Sequence, residues 1–139
     1  KSPLQNTPIG KLIASGDPKQ GAEAFQIIIS KTSAGEVIPY LADRALIRSA
    51  WQRQKEAANR HYEPGKFTTL IAFEWTSIPY AQNLHHHVFF RDDKGPDVPF
   101  SAFDSVKRED LWTYQEVQRA MGHENISISH NSNVSNSMM

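Results

Sequence analysis

The chain has 139 residues, enough for one ordinary domain, and its 15 lysines and arginines balance its 15 aspartates and glutamates. The balance excludes a broad basic surface for nucleic acid, and no run approaches the roughly 20 apolar residues that span a bilayer. With no cysteine, disulfides, thiolate metal sites and a cysteine nucleophile are excluded, so any metal must be held by His, Asp and Glu.

Residues 1–20 hold Pro3, Pro8, Gly10, Gly16 and Pro18 among small polar residues. They are expected to form an irregular loop, with a short turn of helix at 11–15. Residues 22–30 (AEAFQIIIS) are apolar enough for a buried helix or strand, and periodicity does not separate the two. A turn-rich link at 31–37 follows. The longest helical signal covers 39–61, where Ala42, Ala45, Leu46, Ala50 and Ala57 lie near one stripe. Pro64-Gly65 then marks a turn.

Residues 67–74 (FTTLIAFE) are apolar for most of their length. That pattern predicts a strand buried on both faces, as in a parallel sheet covered by helices, with Glu74 at its end. A second strand is expected over 84–90, and the charged stretch 91–99 (RDDKGPDVP) is expected to be a turn in solvent. Leu111, Tyr114, Val117 and Met121 recur at helical spacing and predict a helix over 109–121, with Gly122 after its end. A third strand at 126–129 then leads to His130. The expected order is helix, strand, strand, helix, strand, an α/β pattern. The chain starts at Lys1 and stops in a polar loop, so residues 1–139 are read as a single partial domain whose flanking parts are missing. No signal peptide is visible, and the compartment is left open.

Glutamate is almost never buried unpaired, so Glu74 needs a partner. One source is the histidine triplet His85, His86 and His87, most economically through a shared metal ion; His130 is a third candidate. Another is an arginine such as Arg44 or Arg91. In a strand, His85 and His87 point one way and His86 the other, so at most two of the three serve one site. Asn131 and Asn133 could donate hydrogen bonds to a substrate or simply hold their loop. There is no HExxH, no glycine-rich phosphate loop and no GxSxG elbow.

Four segments in order, PGKFTTLIAFEWTS, NLHHHVFFRDD, DSVKREDLW and SHNSNVSN, resemble the DUF3604 family, and through it the PHP (polymerase and histidinol phosphatase) metal-dependent phosphoesterases. The resemblance covers most of the chain from about Ser49 onward. It implies a distorted α/β barrel of PHP type, incomplete in this chain, with two or three divalent ions (Zn, Mn or Fe) at its strand ends. It implies Glu74 as a bridging carboxylate and His85 and His130 as metal ligands, Glu74 and His130 serving the chemistry directly. The sequence departs from the family pattern at His86-His87, where Arg-Asn is usual, and at Ser129, Ser132 and Ala72. Where that arginine would meet an anionic substrate, His86 is the replacement candidate.

The expected function is therefore a part of a metal-dependent hydrolase that activates water on a small-molecule substrate, a phosphoester by analogy, with no nucleic-acid or membrane partner. The alternative is a non-catalytic α/β domain with Glu74 in an ion pair.

Overall fold

A computed structural model describes residues 3–34, 36–38, 40–78 and 83–129. The chain divides into two compact units, residues 1–46 and residues 47–139.

The first unit is helical. A short 3-10 helix, Pro3–Asn6, leads into α1 (Pro8–Ala14), and α2 (Pro18–Ser33) follows. The irregular loop expected over residues 1–20 is thus largely helix. Two local signals explain the difference. Thr7 and Asp17 are N-caps, accepting from the backbone N–H of Gly10 at 3.0 Å and Lys19 at 2.9 Å, and each is followed by proline at the first helical position. Side-chain caps satisfy amides that have no partner in the first turn, and proline lacks one there. The ambiguous stretch 22–30 lies inside α2. Ile9, Ala24 and Ile38 are buried together, with Leu12, Ile27 and Leu41 packed against them.

The helix α3 (Arg44–His61) begins in the last residues of the first unit and continues into the second, and it starts later than the expected residue 39 because Asp43 caps it. The Asp43 Oδ1 accepts from the N–H of Ala45 at 2.8 Å. Its Trp51 is buried against the sheet. Pro64-Gly65 makes the expected turn, with Gly65 at φ 79° and the N–H of Glu63 bonded to the carbonyl of Phe67.

Three strands follow: β1 (Ile71–Ser77), β2 (Leu84–Phe90) and β3 (Asn125–Ser129), in the spatial order β1-β2-β3. Both pairings are antiparallel, which overturns the parallel sheet expected from the apolar run. Residues 78–83, between β1 and β2, are too few for a parallel crossover, which takes a dozen or more. Phe67 and Leu70, which made the run look buried on both faces, precede the strand and are exposed. Within β1, Ile71, Trp75 and Ser77 are buried whereas Glu74 is exposed, so the strand is one-sided. The result is a mixed α/β unit, and no barrel is formed by the described residues.

Trp51 of α3 and Leu111 of α4 (Arg108–Ala120) pack with Ile71, Trp75, Leu84, Val88 and Phe90 on one face of the sheet. The opposite face carries Ala72, Glu74, Thr76, His85, His87, Phe89, Ile126 and Ile128, by alternation and register.

Two further expectations change. Val117 and Met121 of the predicted helical stripe are exposed, and Gln115 and Gln118 are buried in their place. Gln115 Nε2 donates to Asn125 Oδ1 at 3.0 Å, and Asn125 Nδ2 donates to the carbonyls of Gln115 at 3.1 Å and His123 at 2.9 Å. This polar joint ties α4 to the start of β3. The charged stretch 91–99 is not simply a solvent turn, because Gly95 and Pro96 are buried. The Pro96 carbonyl accepts from Trp51 Nε1 at 2.7 Å and from Lys55 Nζ at 3.1 Å, which anchors the loop to α3.

Candidate functional site

The hairpin register decides which chemistry-bearing side chains meet. Glu74 is directly opposite His87, and Thr76 is opposite His85. Residues two apart on one strand share a face, so all four lie on the face turned away from α3 and α4. Glu74 is in the middle of β1, not at its end as expected. It reaches neighbours across the hairpin for that reason.

The contacts are specific. Glu74 Oε1 is 2.8 Å from His85 Nδ1, and Glu74 Oε2 is 3.7 Å from His87 Nε2. His85 Nδ1 is also 3.0 Å from Thr76 Oγ1. The first and last are hydrogen-bond distances; the second is an ion-pair distance. The side chain of His85 is 16% exposed, and those of Glu74 and His87 are 41% exposed, so the cluster is open to a ligand from solvent. Arg91, one of the arginines considered for Glu74, pairs instead with Glu124 at 2.9 Å.

His86 faces the other way. It is buried beside Trp75, with ring centroids 5.9 Å apart. The substrate contact expected of His86 would need its ring to leave the core side of the sheet, so the structure does not bring it together with Glu74 and His85. His130, Asn131 and Asn133 lie outside the described residues. Thr76 is the member of the cluster that the sequence does not single out, and strand alternation places His87 on the face of His85 without giving it a role of its own. The short 78–83 connection carried the missing signal, since an antiparallel hairpin sets Glu74 against the triplet.

Nitrogen and oxygen donors of this kind suit Zn²⁺, Mn²⁺ or Fe. Two ligands each about 2.1 Å from one tetrahedral ion stand about 3.4 Å apart, whereas the 2.8 Å between Glu74 Oε1 and His85 Nδ1 is the length of a direct hydrogen bond. Among the described residues, no three His, Asp or Glu side chains converge as they would around a metal ion. The described part of the cluster is a two-donor site with His87 beside it.

The same sheet face continues into an open apolar groove lined by Leu70, Phe89 and Ile126, with Arg91 and Arg119 also lining it. A second acid–imidazole pair joins the loop after β2 to the turn before β3. Asp92 Oδ2 is 3.3 Å from His123 Nδ1, and Asp92 Oδ1 accepts from the N–H groups of Lys94 at 2.8 Å and Gly95 at 2.7 Å. Burial alone would raise the Asp92 pKa, but these two amides and His123 outweigh it and hold the carboxyl below its ordinary value.

Residues 3–139 match the family described as "Protein of unknown function (DUF3604)". The chain belongs to the DUF3604 family. Comparison with curated proteins and with solved structures gave no match. The Glu74–His85 hairpin of this DUF3604 chain falls within the matched span, as do His130, Asn131 and Asn133.

Proposed function

We propose that this DUF3604 chain contributes to a metal-dependent hydrolase, with Glu74, His85 and His130 as ligands of a divalent-metal centre. The observation that carries the reading is the 2.8 Å approach of Glu74 Oε1 to His85 Nδ1 on an open sheet face. His130 enters because it directly follows Ser129, which pairs with His86, the neighbour of His85. When bound, such an ion supplies Lewis acidity and a water acidic enough to act near neutral pH. The chain's own part is to hold the donors. Glu74 offers one oxygen beside His85 and a second toward His87, which suits a carboxylate shared between ions. Thr76 Oγ1, 3.0 Å from His85 Nδ1, orients the ring in the absence of an ion, and an ion bound at that nitrogen would take the place of this contact. In the ligated state His85 Nδ1 must be the unprotonated nitrogen.

A phosphoester substrate and a PHP-type barrel belong to the same proposal and rest on family resemblance alone. The antiparallel meander counts against a regular parallel barrel. The open groove beside the cluster, lined by Leu70, Phe89 and Ile126 with Arg91 paired to Glu124 at its wall, is compatible with an apolar portion of a substrate.

A second reading has its own observation. The 2.8 Å and 3.0 Å contacts of His85 Nδ1 also describe a metal-free hydrogen-bonded cluster in a non-catalytic domain. Elemental analysis of untagged protein separates the two. The hydrolase reading expects stoichiometric Zn, Mn or Fe that falls in Glu74→Gln, and chelator-sensitive phosphatase activity on a generic aryl phosphate. The metal-free reading expects neither.

A further inference from the structure

We propose that the open groove beside β3 binds a small amphiphilic carboxylate, an apolar chain whose anionic head meets Arg119. The proposal needs no metal ion and stands apart from the hydrolase reading. It starts from the strand patterning. Phe89 of β2 is paired with Ile126 of β3, on the face turned away from α3 and α4. β3 is patterned in reverse: Ile126 and Ile128 are on the open face, and Asn125, Ser127 and Ser129 alternate onto the face where the helices pack. Ile126 is therefore 64% exposed, and Leu70, which lines the same groove just before β1, is 53% exposed. An apolar chain laid over these side chains takes their surface out of water, which drives binding. The groove encloses about 500 Å³, inside the roughly 300–1,000 Å³ of small-molecule sites.

The charges of the wall select the head group. Arg91 and Glu124 both line the groove and answer each other at 2.9 Å. Arg119 lines it too, and among the described residues it meets no carboxylate. Its Nη1 donates to Asn125 Oδ1 at 3.0 Å and to the Asn125 carbonyl at 3.5 Å, both neutral acceptors. Those bonds hold one corner of the guanidinium and leave its positive charge unanswered. A guanidinium anchored in this way is preorganised for a planar carboxylate, which it meets with charge-assisted hydrogen bonds. One unanswered positive charge beside an apolar floor fits a monoanion. A multiply charged head finds no second unpaired cation among the residues lining the groove, and a cationic head meets Arg119 with like charge.

The test titrates octanoate, octanol and octylammonium into the isotope-labelled full chain at neutral pH and follows the backbone amide resonances. Octanoate is expected to shift Phe89, Arg119 and Ile126 and to bind about tenfold more tightly than octanol, the contribution of a charge-assisted hydrogen bond. Octylammonium is expected to bind no more tightly than the alcohol. Arg119→Gln should bring octanoate down to the affinity of the alcohol and leave the alcohol's own affinity unchanged. Ile126→Ser should weaken both. Should Arg119→Gln not fold, the comparison of the three ligands in the wild type carries the test. Equal binding of octanoate and octanol, or an octanoate preference that survives in Arg119→Gln, overturns the proposal. Shifts confined to residues outside the groove overturn it as well. Shifts of Ile126 that depend on protein concentration without any ligand would mean that a second copy covers the groove, and they too overturn it.

Discussion

Replacing Asn125 should cost more than its position at the start of a short strand implies. Its side chain is 8% exposed and sits in four hydrogen bonds. Oδ1 accepts from Gln115 Nε2 and Arg119 Nη1, both at 3.0 Å; Nδ2 donates to the Gln115 and His123 carbonyls. In Asn125→Leu, Gln115 Nε2 loses its acceptor inside the unit, since Gln115 is 4% exposed. The two carbonyls lose a donor as well. Leaving a buried group without a partner costs about 1–3 kcal/mol, whereas Arg119 can turn to water, so the sum is about 2–4 kcal/mol. Urea unfolding followed by tryptophan fluorescence reads this directly, because Trp51, Trp75 and Trp112 all lie in the second unit. The double variant Gln115→Leu/Asn125→Leu removes the stranded amide and should recover roughly 1 kcal/mol, the carbonyls remaining unpaired. A loss below about 1 kcal/mol for Asn125→Leu, or losses that simply add in the double variant, would refute the claim that this joint fastens α4 to β3.

Other outcomes are expected. Asp92 has its pKa held below the ordinary 3.8, so its contribution to stability is full above that value and is lost as the pH falls through the folded value. Asp92→Asn should therefore lower stability at neutral pH and flatten the acid limb of a pH–stability profile; an unchanged acid limb contradicts it. Gly10 has no room for a side chain, since a Cβ there would overlap the Leu4 carbonyl oxygen. Gly10→Ala should destabilise the first unit by about 1–3 kcal/mol, seen as faster proteolysis within residues 3–14, with the tryptophan-reported transition unmoved.

The sequence was informative where a residue's local chemistry acts alone. The β2 span 84–90 and the extent of α4 follow from apolar content and from Gly122, which takes φ 92° after the helix. The helices of the first unit are hard to read from composition because glycine and proline commonly break helices, whereas Thr7-Pro8 and Asp17-Pro18 are start signals. Apolar content could not separate Phe67 and Leu70, which lie outside β1, from Ile71, which opens it. Missing the hairpin hid the site's geometry too. Glu74 could be singled out as a carboxylate needing partners, and the alternation of the triplet could be stated, but only the register shows that His87 is opposite Glu74 and that Thr76 joins His85. The buried Gln115 and Gln118 were illegible for another reason. Their burial depends on Asn125 and the packing of α4 on the sheet, which no helical periodicity encodes.

The most direct test of the central claim is metal content by elemental analysis of untagged protein, wild type beside Glu74→Gln. The account predicts stoichiometric Zn, Mn or Fe in the wild type and a clear fall in the variant, with both proteins folded by circular dichroism. Folded wild-type protein without stoichiometric metal, still metal-free after incubation with each of the three ions, would contradict it and leave the Glu74–His85 pair as a hydrogen-bonded element of the sheet.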